Sequence, residues 1–124
     1  MTGEELVARA EAAAANAYAP YSRYCVGASL VTSDGRVYDG VNVENSAYPL
    51  GVCAEKSAIV RAAGDGVRPG EIAAIGITAS PCGGCRQWLH EWRIGSVSFR
   101  REDGSIAEYA ADALLPDTWD LPEA

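Results

Sequence analysis

Cys53-Ala54-Glu55 and, further on, Pro81-Cys82-Gly83-Gly84-Cys85 bring three thiols and one carboxylate into a single spacing pattern. Thiolates are soft ligands that suit zinc, and three protein ligands leave a fourth zinc position open for water. A carboxylate two residues beyond the first ligand can move protons for that water. The chemistry this predicts is hydrolysis at a metal.

Other readings of the thiols stand beside it. Cys82-x-x-Cys85 alone fits a redox pair, half a zinc site or two buried thiols. A thioredoxin-like pair follows the first strand of a βαβ unit, whereas here the motif follows the third expected strand. With Cys25, the four cysteines would also allow a closed, structural four-thiolate site. Such sites draw on two tight pairs, but Cys25 and Cys53 each stand alone. Cys25, between Tyr24 and Val26, is expected to be a small buried hydrophobe at the start of a strand. Glu55 could be an ordinary surface glutamate, but its place beside a ligand favours a catalytic role. His90 is the only histidine. It receives no role, and a lone histidine without a nucleophile motif argues against a triad hydrolase.

These residues need elements to hold them. Thr2 and Glu5 form a capping box, opening an alanine-rich helix from Glu4 to about Tyr18 whose apolar positions Leu6, Ala10, Ala13, Ala14 and Ala17 share one face and which ends by Pro20. Val26–Val31 and Arg36–Val43 flank Ser33-Asp34-Gly35 as a hairpin. Residues 42–52 lack a period and read as loop. Cys53–Ala63 is a helix with Ala54, Ala58, Ile59 and Ala62 turned inward, stopping at Gly64. Ile72–Thr78 is an apolar run suited to a central strand. Cys82–Trp92 is a further helix. Ser96–Arg100 and Ser105–Tyr109 are short strands, and Ala110–Leu115 a last short helix. The order α-β-β-α-β-α-β-β-α implies an α/β fold, a three-layer α/β/α sandwich around a mixed five-stranded sheet. Both cysteine clusters fall at helix N-termini, whose partial charge of about +0.5 favours thiolate over thiol.

The chain has 124 residues, 48% of them hydrophobic, which suits one compact domain over residues 1–124 with its own core. A net charge of −7 lacks the basic footprint of a nucleic-acid binder. A small neutral substrate is expected rather than a polymer. The sequence carries no secretory signal pattern and no apolar run of membrane-spanning length. A reducing, cytoplasmic setting is the expectation, and there close cysteines favour metal binding over disulfides.

The zinc pattern is close to the H-x-E and P-C-x-x-C signature of nucleobase deaminases, in which three cysteines can serve as ligands. The chain as a whole resembles the cytidine deaminase family in its small homotetrameric form. Ala19-Pro20-Tyr21-Ser22, Val26-Gly27-Ala28, Asp34-Gly35-Arg36, Asn42-Val43-Glu44-Asn45, Tyr48 through Glu55, Ser80 through Gln87 and Leu114-Leu115-Pro116 look like that family's blocks, in order.

The resemblance implies that Cys53, Cys82 and Cys85 hold one Zn²⁺ and that Glu55 shuttles protons. It implies that Asn42 and Glu44 bind ribose hydroxyls, that Tyr24 lies against the base, and that the backbone at Ala54 and Ser80 reads the pyrimidine edge. Tyr48 and Trp119 would lean into a neighbouring subunit's site. The implied activity is hydrolysis of cytidine and 2′-deoxycytidine to the uridine products and ammonia, in pyrimidine salvage. Deamination of another cytosine nucleoside, such as a blasticidin-type antibiotic, or a non-catalytic zinc domain, are the alternatives. The chain departs from the pattern at Tyr24 and Trp119, where phenylalanine is common, and at Cys25, where proline is. Lys56 stands where many three-cysteine members have arginine. Three thiolates over-neutralise Zn²⁺, so nearby cations must draw charge from the sulfurs. Arg86, with its planar fork of donors, is expected to do more of this than Lys56.

Overall fold

In the computed structural model, which describes residues 1–123, a five-stranded sheet runs in the order β2-β1-β3-β4-β5. The strands are β1 (Gly27–Thr32), β2 (Val37–Val41), β3 (Ile72–Ile77), β4 (Ser96–Arg100) and β5 (Ile106–Tyr109). The helices are α1 (Gly3–Ala13), α2 (Ala54–Gly64) and α3 (Gly83–Glu91). β3 and β4 are parallel, and the other pairs are antiparallel. The sheet is therefore mixed, with α1 on one face and α2 and α3 on the other.

Small residues decide how closely α1 seats. Its buried side chains Leu6, Val7 and Ala10 meet a sheet face carrying Gly27, Ser29, Gly76 and Ser98. A β-carbon on Gly76 would stand 2.5 Å from the Leu6 carbonyl carbon and 2.6 Å from the Val7 nitrogen. On the opposite face, Ala28, Leu30, Ile75, Ile77, Val97 and Phe99 pack against Ala54, Ala58, Ile59 and Ala62 of α2 and Leu89 of α3. These α2 positions recur at helical spacing, so one stripe of the helix faces the sheet.

The capping box at α1 is present. The Thr2 hydroxyl accepts from Glu5 N–H at 3.1 Å, and the Glu5 carboxylate accepts from Thr2 N–H at 2.9 Å. The hairpin turns where the Asp-Gly signal lies, with Gly35 at φ 93° in the left-handed region.

Three expected elements end differently. α1 stops at Ala13, followed by a 3₁₀ turn over Ala14–Asn16, instead of reaching Tyr18. Tyr18 is held by the chain after β2: its N–H donates to the Asn42 carbonyl at 3.0 Å and its carbonyl accepts from Glu44 N–H at 2.8 Å. Pairing with a distant segment overrides alanine's helix preference there. Residues 42–52 contain a 3₁₀ turn at Tyr48–Leu50, and the last short helix is a 3₁₀ turn over Ala111–Leu114. Cys25 is exposed in this chain, not buried as expected. It precedes β1, which begins only at Gly27, so the sheet does not cover it.

Candidate active site

Cys53 is the N-cap of α2, and Cys82 is the N-cap of α3. Both have extended backbone, with φ −75° and −70°, so the chain enters each helix directly from its ligand. The Cys82 sulfur accepts from Cys85 N–H at 3.4 Å, as a capping side chain does. Cys85 lies one turn into α3 and is fully buried. The two helix starts meet so that the sulfurs of Cys53, Cys82 and Cys85 all lie within 4.8 Å of one another. Among the described residues this is the one group of three or more such side chains that could hold a metal. Cys25 is outside it, which favours three ligands over a closed four-thiolate site.

The donor set fits zinc. Tetrahedral Zn–S bonds of about 2.3 Å place sulfurs roughly 3.8 Å apart, which falls inside the 4.8 Å that bounds this cluster. The electrostatics also call for a cation. Burial, helped by the charge of Glu55, drives the Cys85 thiol far above its ordinary value. Burial, with the negative charges of Cys82 and Glu55, pushes Cys53 up against a hydrogen bond from Cys85. At Cys82 burial works in the same direction, but the Cys85 N–H and the neighbouring thiols outweigh it and hold this thiol low. A divalent ion would displace the protons from such thiols on binding.

Glu55 sits in the first turn of α2 and is only 4% exposed. Burial holds its carboxyl above the usual carboxylate range, while Lys56 and a Cys85 hydrogen bond pull the other way. A carboxyl raised by burial holds a proton more readily than an exposed one, which suits a group that must both take and give one.

The cleft above it has a volume of about 340 Å³. Tyr24, Asn42, Glu44, Tyr48, Ala54 and Ser80 line it together with the three cysteines and Glu55. No lysine, arginine or histidine is among its lining residues. The Asn42 side chain is fixed at both ends: its oxygen accepts from Val26 N–H at 2.9 Å, and its amide donates to the Tyr24 carbonyl at 2.8 Å. Tyr48 is 75% exposed, on the rim. Trp119 is 73% exposed and lies outside the lining of its own chain's cleft.

The two basic side chains behave differently. Arg86 donates to the carbonyls of Pro81 at 2.9 Å and Leu114 at 3.2 Å and to the Ser80 hydroxyl at 3.2 Å. These bonds brace the loop before α3; none of them reaches a sulfur. Lys56 Nζ and Cys82 Sγ both lie 4.0 Å from the point that a β-carbon on Gly84 would occupy. The ammonium therefore lies at most about 8 Å from that sulfur, and its charge also pulls the Glu55 carboxyl downward.

Sequence reasoning passed over Ser22, which also lines the cleft, and His90. Ser22 stood inside the Ala-Pro-Tyr-Ser block, where its type and place were a usable signal. The partners of His90, Asp112 and Asp120, are distant in sequence and gave none.

An α/β/α sandwich with a three-cysteine cluster at two helix starts, and a buried glutamate beside it, matches the pattern of a deaminase-type metal site. A sequence model of the family described as "Cytidine and deoxycytidylate deaminase zinc-binding region" matches residues 1–101. A cytidine deaminase of Sporosarcina psychrophila is 42% identical over 124 residues, spanning 94% of this chain and 90% of its own. One from Mycobacterium tuberculosis H37Rv is 44% identical over 117 residues, spanning 90% of this chain and 84% of its own. The crystal structure of a cytidine deaminase from Burkholderia pseudomallei superposes with a TM-score of 0.89 at 43% identity, covering 96% of this chain and all of that one. The chain belongs to the cytidine and deoxycytidylate deaminase family.

Proposed function

We propose that this protein hydrolyses cytidine and 2′-deoxycytidine to uridine and 2′-deoxyuridine, releasing ammonia. The observation that carries this is the buried Glu55 carboxylate at the foot of the cleft, beside three sulfurs within 4.8 Å of one another. Cys53, Cys82 and Cys85 hold one Zn²⁺. When bound, the ion supplies the Lewis acidity that makes water nucleophilic near neutral pH.

Glu55 does the proton work. Its carboxylate takes a proton from the attacking water and delivers it to N3 of the pyrimidine. Oxygen adds at C4. Glu55 then carries the second proton to the amino nitrogen, the C–N bond breaks, and ammonia leaves with C4 as a carbonyl. The carboxylate is regenerated, so one residue serves both transfers.

The rest of the cleft orients the nucleoside. The first turn of α2 leaves backbone N–H groups without helical partners, and the backbone at Ala54 and Ser80 reads the pyrimidine edge. Tyr24 covers the base. Asn42 and Glu44 bind ribose hydroxyls. The cation-free lining, with two carboxylates, suits a neutral nucleoside better than a nucleotide. Tyr48 and Trp119 complete a neighbouring subunit's site in a homotetramer. Such exposed aromatics suit an interface. Lys56 draws charge from the thiolates, and Arg86 supports the loop that carries two of them. The setting is cytoplasmic pyrimidine salvage; among the described residues no helix is long and apolar enough to cross a membrane.

An ultraviolet assay of cytidine loss with the zinc-loaded protein tests this. Conversion of cytidine and 2′-deoxycytidine is expected. No spectral change with these or other cytosine nucleosides would overturn the reading.

A further inference from the structure

Glu44 does not enter the cleft as a free side chain. One carboxylate oxygen accepts from Tyr21 N–H at 3.0 Å and from Ser22 N–H at 3.1 Å. The other accepts from the Ser22 hydroxyl. That hydroxyl in turn accepts from Tyr24 N–H at 3.0 Å. A backbone N–H can only donate and a carboxylate can only accept, so the proton of Ser22 has one place to go. The direction of the relay is set: Tyr24 N–H to Ser22 oxygen, Ser22 O–H to Glu44. Hydrogen bonds in such a chain strengthen one another.

The fold brings these groups together from distant segments. Tyr18 pairs with the backbone on both sides of Val43, laying residues 18–24 along the chain that leaves β2. The backbone then turns at Arg23, with φ 59° in the left-handed region, between the Ser22 hydroxyl and the Tyr24 N–H. Hydrogen bonds from Ser22 and Tyr21 hold the Glu44 carboxyl below the usual carboxylate range.

We infer that Ser22 is a positioning residue for substrate selection: it presets Glu44 as an oriented, acceptor-only carboxylate that reads a sugar hydroxyl as donor. A carboxylate offers about four acceptor sites. Three are taken by the chain, so one is left for substrate. A sugar that lacks the hydroxyl leaves that site unpaired. A sugar that carries an anionic ester there meets a fixed negative charge. Without the Ser22 hydroxyl, Glu44 can turn, and the preference for the donor weakens. This rests on the proposed placement of ribose at Asn42 and Glu44.

The test compares kcat and KM for cytidine with those for its 2′-deoxy and 3′-deoxy analogues, in the zinc-loaded wild type, Ser22→Ala, Ser22→Thr and Glu44→Gln. Wild type should select against the analogue that lacks the hydroxyl read by Glu44. In Ser22→Ala, kcat/KM for cytidine should fall about ten-fold, mainly through KM, the scale expected for a hydrogen bond to a charged group. The same change should alter the analogue less than about two-fold, so selection collapses. Ser22→Thr keeps the hydroxyl and should restore it. An equal loss on all substrates in Ser22→Ala, or no loss, with Glu44→Gln still non-selective, overturns the role of Ser22. If Glu44→Gln keeps wild-type selection, the ribose placement itself is wrong and the inference falls with it.

Discussion

His90 Nε2 lies 2.9 Å from a carboxylate oxygen of Asp120, tying the end of α3 to the tail segment that carries Trp119. The other ring nitrogen, Nδ1, lies 3.0 Å from Asp112. Carboxylates accept only, and a neutral imidazole has one N–H, so both contacts are satisfied only by the imidazolium. Asp120 first, then Asp112, raise the affinity of His90 for its proton. Glu91, Arg93 and Glu123 line the same 680 Å³ hollow.

A pH-dependent tail attachment is the expected result. His90 binds its proton more tightly folded than unfolded, so its contribution is complete below the unfolded value of about 6.5. It is lost as pH rises through the higher folded value. Thermal unfolding of wild type and His90→Gln across this range measures it. The stability gap should be largest on the acid side and close toward high pH. A gap that widens with pH would contradict the ion pair.

Gly76→Ala should cost about 1 to 3 kcal/mol of stability, because its β-carbon meets helix backbone rather than a yielding side chain. Urea unfolding measures this. An unchanged midpoint would mean that α1 sits farther from the sheet.

Much of this arrangement was legible in the sequence because it is local. The hairpin needed Asp34-Gly35, and α2 needed apolar positions at Ala54, Ala58, Ile59 and Ala62, all of which are buried. The metal cluster was legible because each helix begins at its ligand. What escaped is set between segments far apart in sequence. The stop of α1 depends on Tyr18 pairing beside Val43, and the clamp on Glu44 depends on the hydroxyl of Ser22. Cys25 misled because an apolar neighbour, Val26, suggested a strand one residue too early.

Lys56 and Arg86 should separate by kind of damage. Arg86→Ala removes three hydrogen bonds to the Pro81, Leu114 and Ser80 oxygens. It should lower the melting temperature and weaken zinc retention. Lys56→Ala should leave the melting temperature nearly unchanged and lower kcat, through loss of the cation near Cys82. Paired melting curves, zinc content and kcat measure both. An equal loss of melting temperature in the two variants would contradict the assignment.

Thiol titration gives an independent count. The zinc-loaded protein should show one readily reactive thiol per chain, the exposed Cys25, and chelation should expose the remaining three. Metal loss should also become easier as pH falls, since protons compete for the sulfurs. An unchanged thiol count after chelation would contradict ligation by Cys53, Cys82 and Cys85.

The most direct measurement is cytidine turnover by wild type and Glu55→Gln, with zinc content determined on the same samples. Equal zinc in both, with kcat reduced at least about 100-fold in Glu55→Gln, is the expected result for a carboxylate that moves both protons. Equal zinc with wild-type turnover in Glu55→Gln would contradict the account.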